Sequence, residues 1–412
     1  MATPPARPGI SLGRLTVHPQ TAAGLLVLLA AAALIMASSR RDPEFGVFAT
    51  VGLGFGIVLQ RSRFCFNAAF RDLFQFRSGR TMKGVIVGMA VATPGFGLHM
   101  FNLLPNPSLG PVAPEAHATP ISLALVLGGL LFGTGMVIAG GCVSGSIYRM
   151  GEGYLTSWVS FGGILGGLLV AARTWNWWWE HFIREAPVLW LPRSLGYGGA
   201  VTLTLAGLGA VYLLVLWIES RGGGGLQEAV SPDAAVAFAP KVRGLARAVF
   251  RQGWPAAAGG TAAGLLNLLS YEAHMPWRVV GELSRWSIGG ATLVGLAPGP
   301  LRGTEDLAAC TLRAGGGVLT HGLLLNAGLF LGSLLAALLA HEFKLRIPRK
   351  RVRYIQALGG GLLMGYGGGI ALGCTVGAFF SAIPSLALNG WVFALALAAG
   401  AYIGLRVIER IP

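Results

Sequence analysis

Apolar residues in this chain fall into long runs separated by short polar blocks. TAAGLLVLLAAAALIMA (21–37) and ISLALVLGGLLFGTGMVIAG (121–140) are two such runs, close to the ~20 residues that carry a helix across a bilayer. Comparable runs recur from end to end, so the pattern predicts an all-α, polytopic membrane protein. The polar blocks differ in charge. RDLFQFRSGRTMK (71–83), KVRGLARAVFR (241–251) and HEFKLRIPRKRVR (341–353) are basic, whereas PNPSLGPVAPEAHATP (105–120) has no Lys or Arg. The positive-inside rule puts the first three in the cytoplasm and the last outside. The first run follows Arg7 and Arg14 and has small residues before Arg40, so it also fits a signal peptide; in a chain that needs a membrane anyway, a first helix is the simpler reading.

Composition agrees with the pattern. Hydrophobic residues make up 54% and charged residues 11% of the 412, with a mean hydropathy of +0.64, whereas soluble domains are about a quarter charged. The net charge of +15 would point to nucleic acid in a soluble protein. Here the basic residues occupy loops between spans, and no nucleic-acid partner is expected. The longest hydrophilic stretch, 219–255, divides the chain into an N-terminal tail with a first apolar helix (1–45), one half at 46–218 and a second at 256–412. The tryptophan-rich segment around 175 to 190 reads as interfacial, with its rings at headgroup level.

Glycine is abundant, 64 residues, and much of it lies inside the apolar runs. Gly129/Gly133, Gly162/Gly166 and Gly361/Gly365 have the GxxxG spacing that lets membrane helices approach closely. Two stretches match in detail. GGLLFGTGMVIAGGCVSG (128–145) and GGLLMGYGGGIALGCTVG (360–377) share six glycines, a Leu-Leu pair, an Ile-Ala pair and the cysteines Cys142 and Cys374, the mark of a duplication. The first copy follows the loop without Lys or Arg and the second a basic one. Two inverted-topology repeats are therefore expected, with broken or short helices bearing the same motif meeting near the bilayer midplane.

The four cysteines, Cys65, Cys142, Cys310 and Cys374, form no CxxC and lack zinc-ligand spacing. Free thiols are expected, with no metal, no cofactor and no catalytic residue. GGCVSGS and LGCTVGA read as helix breaks, where the glycines Gly141, Gly145, Gly373 and Gly377 let backbone N–H groups converge and Ser144 and Thr375 follow the thiols. Irregular backbone at this depth needs a polar cavity, and the N-terminus of a half-helix favours an anion. A neutral thiol adds a weak, polarizable donor, suited to a soft anion carrying sulfur or selenium. Cys65 is flanked by Arg61, Arg63 and Arg71, which serve either the site or the cytoplasmic face. Cys310, in LRGTEDLAACTLRAGGG, has no clear part. A membrane thiol oxidoreductase would need a paired dithiol, and none is local in sequence.

With FCFNAAFRDLF (64–74), GMVIAGGCVSGSIYRMGEG (135–153), FKLRIPRKR (343–351) and GGGIALGCTVGAFFSAIP (367–384), the chain resembles the YeeE/YedE family of bacterial inner-membrane sulfur transporters over about 47–172 and 341–406. The resemblance implies a transporter rather than an enzyme, taking up thiosulfate through a central path. It implies that Cys65, Cys142 and Cys374 relay the anion by S–H contacts, while Cys310 matches no family motif. It also implies that some relatives handle selenium, and that some work beside a TusA-like sulfur carrier in the cytoplasm.

Overall fold

The computed structural model describes residues 10–12, 15–108, 111–221, 254–304, 307, 312, 317 and 319–410. The described part is helical apart from a small antiparallel ribbon pairing Ile10–Leu12 with Leu15–Val17. Helices α1 (Pro19–Ser39) and α2 (Pro43–Ser62) each open on a proline, behind His18 and Asp42, whose side chains accept N–H bonds from the first turn. Next come α3 (Phe66–Phe76), α4 (Arg80–Leu103), α5 (Leu123–Ala139) and α6 (Val143–Gly151). Helix α7 (Leu155–Trp178) runs on into a π-helical turn, Trp179–Ile183, and α8 (Pro192–Ser220) closes the first half. The second half has α9 (Ala256–Ala273), α10 (Val280–Leu293), α11 (His321–Leu339) and α12 (Val352–Ile370). A second π-helical turn, Thr375–Ser381, and α13 (Leu388–Glu409) complete it.

Among the described residues, 8 helices are long and apolar enough to cross a membrane, or 9 if α12 and the π-helical turn after it, bent by 50°, form one span. The chain is thus a multi-pass membrane protein. The first apolar run is α1, which packs through Gly24 onto Leu338 and Leu339 of α11. The tryptophans around 175 to 190 do not all face outward. Trp175 and Trp178 are buried, and their indole N–H groups donate to the Arg302 carbonyl and the Tyr366 hydroxyl; Trp177 is half exposed. Position on the α7 face decides between these fates, which residue type alone does not reveal.

The most extensive helix pairings, α7 with α12, α2 with α11, α5 with α13, α5 with α12 and α4 with α9, all join one half to the other. Glycine makes the approach possible. A methyl group placed on Gly128 would lie 2.6 Å from the Gly367 carbonyl oxygen, and one on Gly135 would lie 2.5 Å from that of Gly360. Since Gly360 and Gly367 are the sequence counterparts of Gly128 and Gly135, α5 and α12 cross at equivalent points. The pairings with the next helices are crosswise as well: Gly133 of α5 lies on Leu397 of α13, and its counterpart Gly365 of α12 lies on Ile164 of α7. One difference separates the copies. Leu155 follows Cys142 by 13 residues and Leu388 follows Cys374 by 14, and the extra residue coincides with the wider π-helical turn.

Candidate substrate pathway

Three helix breaks share one construction. Helix α2 ends in Arg63 (φ 50), α5 in Gly140 (φ 79) and α12 is followed by Leu372 (φ 58), all left-handed. Two residues later stands a cysteine, Cys65, Cys142 or Cys374, as the extended N-cap of the next helical segment. The left-handed residue turns the chain out of the first half-helix, and the extended cysteine starts the second with its free amides pointing back at the thiol. The Gly145 N–H donates to Cys142 Sγ at 3.3 Å. The amides of Asn67 and Ala68 face the Cys65 thiol, and those of Val376 and Gly377 face Cys374. All three cysteines are free and buried.

These breaks converge. The thiols of Cys65 and Cys142 are hydrogen-bonded neighbours, and they flank Gly145: a methyl group there would lie 3.2 Å from the Cys142 sulfur and 3.6 Å from that of Cys65. Ser144 Oγ lies 3.4 Å from Cys142 Sγ. Thr375, fully buried and with no other hydrogen-bonding neighbour among the described residues, turns its hydroxyl toward the same thiol. Cys374 itself faces backbone amides of Val279 and Val280, where α10 begins. The described cluster thus offers thiols, hydroxyls and helix-terminal N–H groups, all neutral donors.

On the Cys65 side lies a cavity of about 650 Å³ that also touches Tyr148 and Arg149. Seven cationic residues line it, Arg61, Arg63, Arg71, Arg80, Arg149, Lys344 and Arg346, against the acids Asp72, Glu152 and Glu342. Arg149 is held in place by donating to the Gly140 carbonyl at the end of α5 and to the Tyr148 hydroxyl. The Gln60 amide bridges Glu342 (2.8 Å) and Glu152 (3.3 Å). Burial pushes the Glu152 carboxyl above its ordinary range, against the pull of Arg149 and Arg346.

On the Cys374 side the loop before α5 enters the protein, with Ala113, Ala116, His117 and Thr119 almost fully buried. The His117 imidazole reaches Gly373, the residue before Cys374: a methyl group on Gly373 would lie 3.0 Å from His117 Nε2. Burial, reinforced by the Arg278 charge, holds this histidine down at about 3.

The residues expected to act together are only partly grouped as expected. Cys65, Cys142, Ser144, Gly145 and Thr375 meet directly, and Gly141 lies against the Arg149 guanidinium. Gly373 packs on His117 and Ala378, and the Gly377 amide serves Cys374. Arg63 is largely exposed, 3.6 Å from Glu342, in the cationic cavity away from the thiols. Cys310 lies outside the described residues. Tyr148, Arg149, Glu152 and His117 escaped the sequence reading. Arg149 had a usable signal, a charge in an apolar element just after the motif cysteine; His117, in a loop expected to be solvent-exposed, had none.

Known proteins match this chain over most of its length. The chain is 32% identical over 356 residues, 83% of its length and 92% of the relative's, to the thiosulfate transporter TsuA of Spirochaeta thermophila. It is 27% identical over 342 residues, 82% and 87% of the two lengths, to the thiosulfate transporter TsuA of Escherichia coli. The probable transporter YedE of Escherichia coli matches at 30% over 203 residues, 48% of this chain and 47% of that protein. The family described as "Sulphur transport" matches residues 61–403, and by that span the chain belongs to this family of membrane transporters, not to an enzyme class.

Proposed function

We propose that this protein imports thiosulfate across the bacterial inner membrane, along a path that runs past Cys374 and Thr375, then Cys142, then Cys65, into the cationic cavity on the cytoplasmic side. The observation that carries the reading is the shared geometry of the three breaks, in which each buried thiol caps a half-helix and two of the thiols flank Gly145. The names of the two relatives with the longest matches support the choice of anion. Two inverted halves, whose equivalent glycines Gly128/Gly135 and Gly360/Gly367 meet crosswise, would bring the breaks to one depth.

Neutral donors suit the narrow part. A thiosulfate dianion losing its water meets S–H, O–H and N–H groups that compensate it without fixing it, and a carrier must let go of what it binds. A thiolate in the path would repel the anion, so the thiols stay protonated as it passes. An excess of positive charge gathers beyond Cys65, at Arg149 and its neighbours, where it draws the anion inward. That basic mouth is also where a TusA-like cytoplasmic sulfur carrier would receive the anion.

The test is growth on thiosulfate as sole sulfur source in a host lacking other uptake routes. Cys142→Ala and Cys374→Ala, each accumulating normally, should abolish growth, and full growth with either would remove the relay. Competition of labelled uptake by selenosulfate measures how far the site accepts the selenium analogue.

A further inference from the structure

Every backbone polar group of His117 is engaged: its N–H donates to Ser385 Oγ at 3.2 Å and its carbonyl accepts from Asn389 Nδ2 at 3.4 Å. The ring is not. Both imidazole nitrogens are buried without a hydrogen-bond partner among the described residues, in a residue with no exposed surface. Leaving such a group unpaired is costly, and the fold makes no provision to avoid it. Instead the loop is fastened so that the ring stays where it is. Tyr271 donates its hydroxyl to the Pro114 carbonyl (2.9 Å), and Arg278 holds the carboxylate of Glu115 (2.7 Å). Thr375 Oγ1, beside Cys374, is also buried, and among the described residues it has only the Cys142 thiol to turn to. The unpartnered His117 ring and the Thr375 hydroxyl therefore bracket Gly373 and Cys374, at the end of the thiol path remote from the cationic cavity.

We propose that His117 is a substrate-binding residue: its neutral imidazole donates a ring N–H to the sulfur oxyanion as it reaches Gly373 and Cys374, forming the outer subsite of the path. The proposal rests on the transport reading above and adds the group that first receives the anion. A neutral ring has one N–H and one lone pair, so it binds an anion without the grip of a full charge, in keeping with the donors further in. The loop between α4 and α5 then belongs to the binding site and is not a mere connection.

The experiment compares labelled thiosulfate uptake by the wild-type chain, His117→Gln, His117→Met and His117→Ala. Gln keeps an N–H donor, and Met fills the space without one. The half-saturating concentration is expected to stay near the wild-type value in H117Q and to rise about tenfold in H117M and H117A, the loss of one hydrogen bond to a charged group. Wild-type half-saturation in H117M, with normal uptake by the wild type, overturns this proposal alone. A wild-type chain that takes up no thiosulfate overturns the transport reading and this proposal with it. Should the apolar variants fail to accumulate, wild-type protein carrying ring-15N histidine is titrated with thiosulfate: the resonance missing in H117Q should move, and a stationary one refutes the contact.

Discussion

The site depends on single atoms at Gly145. Its missing Cβ leaves the thiols of Cys65 and Cys142 room to meet, so Gly145→Ala places a methyl group on the proposed path between them. The expected outcome is a loss of uptake of about tenfold or more, equivalent to ~1.4 kcal/mol or greater, with protein yield and melting temperature close to wild type; labelled uptake and a melting curve in detergent check both halves of the statement. His117 gives a second prediction at this scale. Its folded-state value of about 3 lies below the ordinary 6.5, so between those values the unfolded chain binds the proton that the folded chain refuses. Stability from this residue is complete above about pH 6.5 and is lost as pH falls toward 3. The melting temperature should decline over that window less steeply in His117→Gln than in the wild type.

At the scale of elements, glycine decides how closely helices from the two halves approach. A methyl group on Gly133 would come within 2.3 Å of the Leu397 carbonyl oxygen, and one on Gly365 within 2.1 Å of that of Ile164. Backbone cannot yield as a side-chain tip can, so Gly133→Ala and Gly365→Ala should each cost about 1–3 kcal/mol, read as lower thermal stability in detergent. This layer was largely legible in the sequence, because apolar runs, GxxxG spacing and the duplicated cysteine motif all report local backbone requirements. The partnership of Cys65 with Cys142 was not legible, since it depends on α3 and α6 bringing their N-termini together from separate breaks. Nor was the entry of His117, because a loop of alanines and prolines without Lys or Arg reads the same whether it lies in water or folds inward. The π-helical turn after Cys374 was hidden for another reason: a one-residue offset shows only when both copies are traced to the start of the next helix.

Across the whole molecule, the loop charges assign the two faces, and chemical labelling tests that assignment. A cysteine at Ser108 should react with an impermeant maleimide in intact cells, and one at Arg349 only after permeabilisation; the reverse pattern would invert the direction of every step proposed here. The faces also differ in the side chains downstream of each repeat cysteine. Beyond Cys142 come Tyr148 and Arg149, whereas the corresponding stretch beyond Cys374 carries Phe380 and Ser381. Arg149, one of the seven cations that face three acids in the cavity beside Cys65, thus has no charged counterpart in that stretch of the second copy, and the loop charges place this cavity on the proposed cytoplasmic side. Such a mouth captures an arriving dianion more readily than it gives one up, so escape into the cytosol, and not passage between the sulfurs, should set the turnover rate. Because mobile ions weaken attraction between solvent-facing charges, extra salt on the inner side of right-side-out vesicles should quicken steady import, while the same salt outside should not.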